Sequence, residues 1–366
     1  MSIAPSRTAL TITFIVAFIV LLVGTTRAIS TLGSLELARG IIGLGVLVAV
    51  VTLAQHALAG ETVYGFWYPP RAGSQVSAPF INRNHAAGWL LMAWALCAGH
   101  FGGCLAGRFR GSTLNWRRLV SSPDASETLL TGFAMVVMAT TIIVTVSRSG
   151  FLCLVSAIVL FGGWVLNRQA SGSRRAIGAA HLVLVLFMGA AWGGVDAVLR
   201  RFQVVEPGFG GRLGIWQDTL RIIHDFPLVG TGLNTYGIAM LHYQTFTTPG
   251  SELAIEAHND YLQLIAEGGV LLGVPILIAL ALFSREVWLR FRERADDTRT
   301  YWLRAGAVTG LCAIAIQELS DFTLQMPGAA ALFVVLAAIA IHRPSPVSQL
   351  NRLPRRPPDG ILPNVE

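Results

Sequence analysis

The sequence predicts an all-α polytopic membrane protein of about nine transmembrane helices. Of its 366 residues, 53% are hydrophobic and 13% are charged. Several apolar runs reach about 18 residues or more, the length that crosses a hydrocarbon core as a helix. Those runs are continuously apolar rather than alternating, which argues against a β-barrel.

The candidate spans fall roughly at 9–26, 40–58, 85–105, 128–146, 150–167, 178–196, 262–283, 303–320 and 327–342. The first is longer than a typical signal core. Only Arg7 is charged ahead of it and further spans follow at once, so it reads as a retained span. The last is short, but long enough to be marginal. Residues 1–342 form a single transmembrane domain with one large loop at 197–261. The tail, 343–366, is rich in Pro and Arg and reads as disordered and cytoplasmic.

Charge placement sets the orientation. The net charge is +7, and every one of the 27 basic side chains is Arg. Arg clusters occupy the loops 105–128, 167–178 and 283–303 and the tail, so these face the cytoplasm. The segments 59–84, 147–150, 197–261 and 320–326 then face outward, and by parity so does the N-terminus. A loop holding Arg27 and Arg39 fits the cytoplasmic set. Topology and anionic lipid headgroups explain the basic balance, and nucleic acid does not. Cys97, Cys104, Cys153 and Cys312 lie in or beside apolar runs and read as small hydrophobes.

The span interiors hold little charge. The unusual polar residues cluster at the outward ends: Asn82-Arg83-Asn84-His85, Arg148, Arg212, His258-Asn259-Asp260, Glu267, and Glu318 with Asp321. A coupled transporter tends to place charge near the midplane. A reaction centre at the outer surface fits this distribution better.

Each motif has a plain alternative. Arg148, in the Ser147–Gly150 turn, either snorkels to headgroups or grips a phosphate with its bidentate fork. Arg212 starts an amphipathic helix, 212–224, with Leu213, Trp216, Leu220 and Ile223 at helical spacing. It is either a polar-face residue or an anion ligand at a helix start. Pro227 ends that helix. Gly230, Gly232 and Gly237 allow a compact loop with Tyr236. His258 and Asn259 either cap the following helix or supply a general base and a substrate contact. Arg83 and His85 either cap a span or bind sugar hydroxyls or phosphate. Asp321 sits in a short outer hairpin that reads as packing, with substrate contact as the second possibility.

There is no His-x-x-x-His pair and no Lys for a phosphate-binding loop, so neither metal nor cofactor is expected. The energy comes with the substrate, in an activated phosphate ester.

Asn-Arg-Asn-His at a span start, Ser-Arg-Ser-Gly between spans, Gly-Arg-x-x-x-Trp followed by Pro-Leu-x-Gly-x-Gly, and His-Asn-Asp-Tyr-Leu-Gln-Leu-x-Ala-Glu-x-Gly together resemble the O-antigen ligase/polymerase family, from about Asn82 to Met326. The resemblance implies a metal-independent, multi-pass glycosyltransferase of the bacterial inner membrane. Such an enzyme takes a glycan from undecaprenyl pyrophosphate on the periplasmic face and passes it to a hydroxyl of a glycan or lipid acceptor, among membrane lipids. On that likeness Arg148 and Arg212 hold the pyrophosphate, and His258 activates or positions the acceptor hydroxyl. The glycines at 268, 269 and 273 depart by one residue from the family's spacing and receive no role. A non-catalytic flippase or a scaffold for lipid-linked glycans is the alternative.

Overall fold

The computed structural model describes residues 2–58, 62–64, 66–68, 77, 79–108, 125–168, 207–245, 253–293 and 298–343. Among them the regular structure is helical: α1 (Pro5–Leu32), α2 (Ser34–Leu58), α3 (Arg83–Arg108), α4 (Ala125–Val144), α5 (Arg148–Arg168), α6 (Pro207–Asp225), α7 (Tyr236–Tyr243), α8 (Asp260–Arg292), α9 (Thr298–Gln317) and α10 (Pro327–Ile341). A 3-10 turn, Thr323–Gln325, precedes α10.

Among the described residues six helices, α1 to α5 and α8, are long and apolar enough to cross a membrane. The chain is a multi-pass helical membrane protein. The expected span at 178–196 and the tail from 344 onward lie outside the described residues. The two remaining expected spans differ in kind. α10 is apolar but only 15 residues long. α9 buries Thr300, Arg304, Thr309 and Gln317, polar groups its neighbours must satisfy. Gly33 alone separates α1 from α2, with φ at 93°, so Arg27 and Arg39 lie on helices and not in a loop. The amphipathic helix expected at 212–224 runs from Pro207 to Asp225 and stops two residues before Pro227.

α3 is the central element: every residue from 85 to 100 is buried. It crosses α9 at a glycine pair. A Cβ on Gly99 would lie 2.8 Å from the Gly306 Cα, and one on Gly306 would lie 2.7 Å from the Gly99 Cα. Such close backbone approach is how packing energy is gained between helices in lipid.

The bundle has two polar ends. At one, Glu127 on α4 takes Arg39 at 2.5 Å, His100 at 3.3 Å and Arg299 at 3.7 Å. Arg304, fully buried, donates there to the carbonyls of Ala340 (2.9 Å), Arg290 (3.2 Å) and His342 (3.2 Å). The Ala340 and His342 carbonyls lie at or beyond the last turn of α10, past its helix bonds, while that of Arg290 also accepts the Glu293 N–H (3.3 Å). Arg304→Ala is therefore expected to lose on the order of 3 kcal/mol, because three carbonyls lose a buried, charged donor together. A melting midpoint within 2 °C of the parent's would contradict that.

At the opposite end a small second core of Ile222, Tyr236, Ala239, Met240, Ala257 and Ala266 joins α6 and α7 to α8. α1 starts at this end: Ile3 donates its N–H to the Thr231 carbonyl (2.9 Å), and Thr8 its hydroxyl to the Leu233 carbonyl (3.0 Å).

α8 is broken at Gly269, whose φ is 59°. The loop after α6 replaces the lost helix bonds. Val270 and Leu271 donate to the carbonyls of Pro227 (3.0 Å) and Leu228 (2.9 Å). Thr231 and Gly232 donate to those of Ala266 (3.0 Å) and Glu267 (2.8 Å). Irregular backbone in a spanning helix is tolerated where protein satisfies it in this way. Glu267 adds to the joint: its carboxylate accepts the backbone N–H groups of Asn234 (2.7 Å), Thr235 (3.1 Å) and Tyr236 (2.9 Å). That places an acid at the N-terminus of α7, where free donors and the helix dipole favour it.

Candidate active site

Four helix termini meet at the end that carries the loop. Asn82 opens α3, accepting the Asn84 N–H on its side chain (2.9 Å) and the Ala86 N–H on its carbonyl (3.1 Å). Ser147 caps α5: its hydroxyl accepts from the Gly150 N–H (3.1 Å) and donates to the Asn84 side chain (2.8 Å). Gln317, at the end of α9, donates to the Asn84 carbonyl (2.9 Å). The Ser-Arg-Ser-Gly turn is thus tied to the start of α3, and Arg148 becomes the first residue of α5.

The fourth terminus is that of α8. Asn259 is its cap, accepting from the Leu262 N–H (3.0 Å) and donating to the Leu319 carbonyl (3.0 Å). His258, immediately before it, has a φ of 51°. A non-glycine residue in the left-handed region is strained by roughly 1–3 kcal/mol, a strain that concentrates at functional positions. Phe322, in the hairpin after α9, stands edge-on between two histidine rings, 4.7 Å from His85 and 5.0 Å from His258 by ring centroid. Asp321 is fully buried beside it. Its Oδ1 accepts the Phe322 N–H (2.9 Å) and lies 3.7 Å from His85 Nε2.

Arg212 enters from α6. Its guanidinium is largely buried and lies within electrostatic reach of Asp321 and Arg148. Among the described residues no carboxylate closes an ion pair on it. Burial pulls its pKa below the usual value; Asp321 opposes that shift and Arg148 adds to it. Burial, with Arg212 and His85 nearby, pushes His258 down to about 4. The imidazole is therefore neutral at pH 7, and its buried Nδ1 has no hydrogen-bond partner among the described residues. Burial raises Asp321 to about 6; the Phe322 N–H and Arg212 hold it from rising further. Two cations, one neutral base and one buried acid thus gather at this end of the bundle.

These features coincide with a known family. Residues 133–277 match the O-antigen ligase family. The resemblance expected from the motifs is borne out over that stretch. A curated relative, the general O-oligosaccharyltransferase of Acinetobacter baylyi, is 34% identical over 113 residues, 30% of this chain. The chain spans 19% of that relative's length.

The O-antigen ligase match contains Arg148, Arg212, Tyr236, His258 and Asn259, while Arg83, His85 and Asp321 lie outside it. Of the sequence candidates, the structure brings together Arg148, Arg212, His258, His85 and Asp321. Arg83 opens α3 two residues before His85, at the same end. Asn259 spends its side chain on capping. Tyr236 is elsewhere: it is buried in the second core, with its hydroxyl 2.6 Å from that of Thr219. Sequence alone gives Phe322 and Gln317 no role, and of the Ser-Arg-Ser-Gly turn it points to Arg148 and not to the capping Ser147. Phe322 in particular carries no motif, and only its pairing with two histidines marks it.

His100, Cys104 and Glu127 place ligand atoms within 4.8 Å of one another at the opposite end. Glu127 is already held there by Arg39 and Arg299, so a cation would meet two guanidiniums. The cluster reads as an ion-pair staple between α2, α3, α4 and α9.

Proposed function

We propose that this chain transfers a glycan from undecaprenyl pyrophosphate to an acceptor hydroxyl, at the periplasmic face of a bacterial inner membrane. The observation that carries the reading is the convergence of Arg148 and Arg212 with a neutral His258 whose Nδ1 is unbonded among the described residues. The O-antigen ligase match supports it.

In this reading the acceptor oxygen attacks the anomeric carbon and the bond from that carbon to the pyrophosphate oxygen breaks. His258 takes the acceptor's proton. The departing pyrophosphate gains charge, which Arg148 and Arg212 neutralise more strongly in the transition state than in the ground state. The proton then returns from His258 to the pyrophosphate or to water, so no metal and no cofactor is needed for the balance. The relative's name, an O-oligosaccharyltransferase, favours a donor carrying a preassembled oligosaccharide.

His258→Ala is expected to remove surface glycan while the protein still inserts and accumulates, with a loss of about 10²-fold or more in transfer rate. In the parent protein, kcat/KM reports the free enzyme. Its acid limb belongs near pH 4 rather than 6.5, because the imidazole stays neutral until it protonates at about 4. Normal glycan in the alanine variant sinks the reading. Glycan analysis of a strain lacking the chain separates the acceptors. Full-length chains left on the carrier mark a ligase, and single repeat units on the acceptor mark a polymerase.

A further inference from the structure

Glu318 lies one residue past the end of α9, is 1% exposed, and takes no part in the transfer step described above. Among the described residues the donor beside its carboxyl is the backbone N–H of Leu324 in the same hairpin, and no side-chain amide, guanidinium or hydroxyl donates to it. What it does meet is another carboxyl, that of Asp260 in the first turn of α8, at hydrogen-bond reach. Two carboxylates bind each other only when one keeps its proton. Asp260 accepts from Gln325 Nε2 on Oδ1 (2.7 Å), a bond that favours its ionised form and so leaves the shared proton on Glu318. The backbone runs the same way: the Asp260 N–H donates to the Glu318 carbonyl at 3.1 Å.

This pairing fastens the hairpin after α9 to the segment that carries His258. Within it, His258 holds a left-handed backbone and its ring rests on Phe322 from that hairpin. Strain of that kind persists only where the surroundings over-determine it. We propose that Glu318 is a positioning residue: its protonated carboxyl, bonded to Asp260, clamps the hairpin to the start of α8 and so holds His258 and Phe322 in register. The effect on transfer rests on the reading of His258 given above; the clamp itself does not.

Burial keeps Glu318 well above the usual carboxylate range, with Asp260 and Asp321 adding to the shift. The titratable and charged groups that face this cluster are Asp260 and Tyr261 on α8, Cys153 on α5, Asp321 in the hairpin and, through Asp321, Arg212 on α6. A folded-state pKa above the unfolded one contributes stability that is complete below the unfolded pKa and is lost as pH rises through the folded pKa. The clamp therefore weakens toward alkaline pH.

The test uses the full chain in lipid nanodiscs, with Glu318→Gln and Glu318→Ala compared with the parent for melting midpoint and transfer rate between pH 6 and 9.5. Gln keeps a donor and has no proton to lose. It is expected to transfer within about threefold of the parent and to flatten the alkaline fall in both readouts. Ala is expected to lose about tenfold or more in rate at every pH. A Gln variant that folds like the parent but transfers no better than Ala overturns the proposal, because the carboxyl would then act chemically. Parallel melting curves against pH in parent and Gln overturn it as well. If no sample transfers glycan, the functional reading fails and the melting comparison still decides the clamp.

Discussion

Replacing Arg212 with alanine is expected to lower glycan transfer by about 10²–10³-fold, mainly through kcat, while the protein inserts and accumulates normally. The asymmetry follows from its surroundings. Removing the guanidinium orphans no hydrogen-bond partner among the described residues, so the structural cost is small. What is lost is a largely buried cation that Asp321 senses without an ion-pair contact and beside which Arg148 adds like charge. Buried charge without a paired partner is costly unless a ligand supplies the counter-charge. A pyrophosphate does so, and most strongly as it leaves. Arg212→Lys tests the geometry: one point charge cannot reproduce a bidentate fork, so rescue is expected to be poor. Arg221→Ala is the control on the same helix, since Arg221 is mostly exposed and pairs with Asp218 at 3.1 Å. Rates measured on purified protein with a lipid-pyrophosphate donor separate these outcomes. An Arg212→Ala enzyme within twofold of the parent removes the anion-binding role.

Much of the candidate site is legible in sequence because charge is rare in an apolar chain and its placement is constrained. Arg148, Arg212, His258, His85 and Asp321 stand out as polar residues near the ends of apolar runs, and the structure gathers them at one end of the bundle. Two kinds of feature escape. The first depends on what a side chain does after folding. Tyr236 beside a glycine-rich loop looks like a substrate contact, yet its hydroxyl goes to Thr219 in a small core. Asn259 looks like part of a catalytic pair and serves as a cap, the alternative its residue type always carries. The second kind depends on tertiary backbone pairing. No periodicity shows that the carbonyls of Pro227 and Leu228 answer the N–H groups of Val270 and Leu271 across some forty residues of chain. For the same reason α9 reads as a span, although its Arg304 and Gln317 donate to neighbouring elements that local hydropathy does not register. The glycines at 268 and 269, set aside on spacing, are where the helix breaks.

That break supplies the second large effect. Gly269→Ala is expected to destabilise the protein by several kcal/mol and to abolish transfer together with folding. A Cβ at 269 would lie 2.5 Å from the Leu228 carbonyl carbon and oxygen, both backbone atoms that cannot rotate away. The φ of 59° adds about 1–2 kcal/mol for any residue with a Cβ. Relief requires the loop to withdraw, and withdrawal breaks the backbone bonds that replace the helix ladder, each buried group costing about 1–3 kcal/mol unpaired. The consequence reaches the site because the loop is the hinge between its halves. Arg212 is carried by the helix that enters the loop, and His258 lies at the start of the helix the loop embraces. Gly230→Ala meets the same obstacle from the other side, where its Cβ would press on the Glu267 carbonyl at a φ of 62°. Gly273→Ala is the matched control four residues along α8. A Cβ there meets nothing within 4 Å, and in a helix alanine is favoured over glycine by up to about 1 kcal/mol. Melting midpoints of the three variants decide the matter. A Gly269→Ala protein that melts with the parent would mean the loop does not close the break, and Arg212 and His258 would then need another link to hold them on one site.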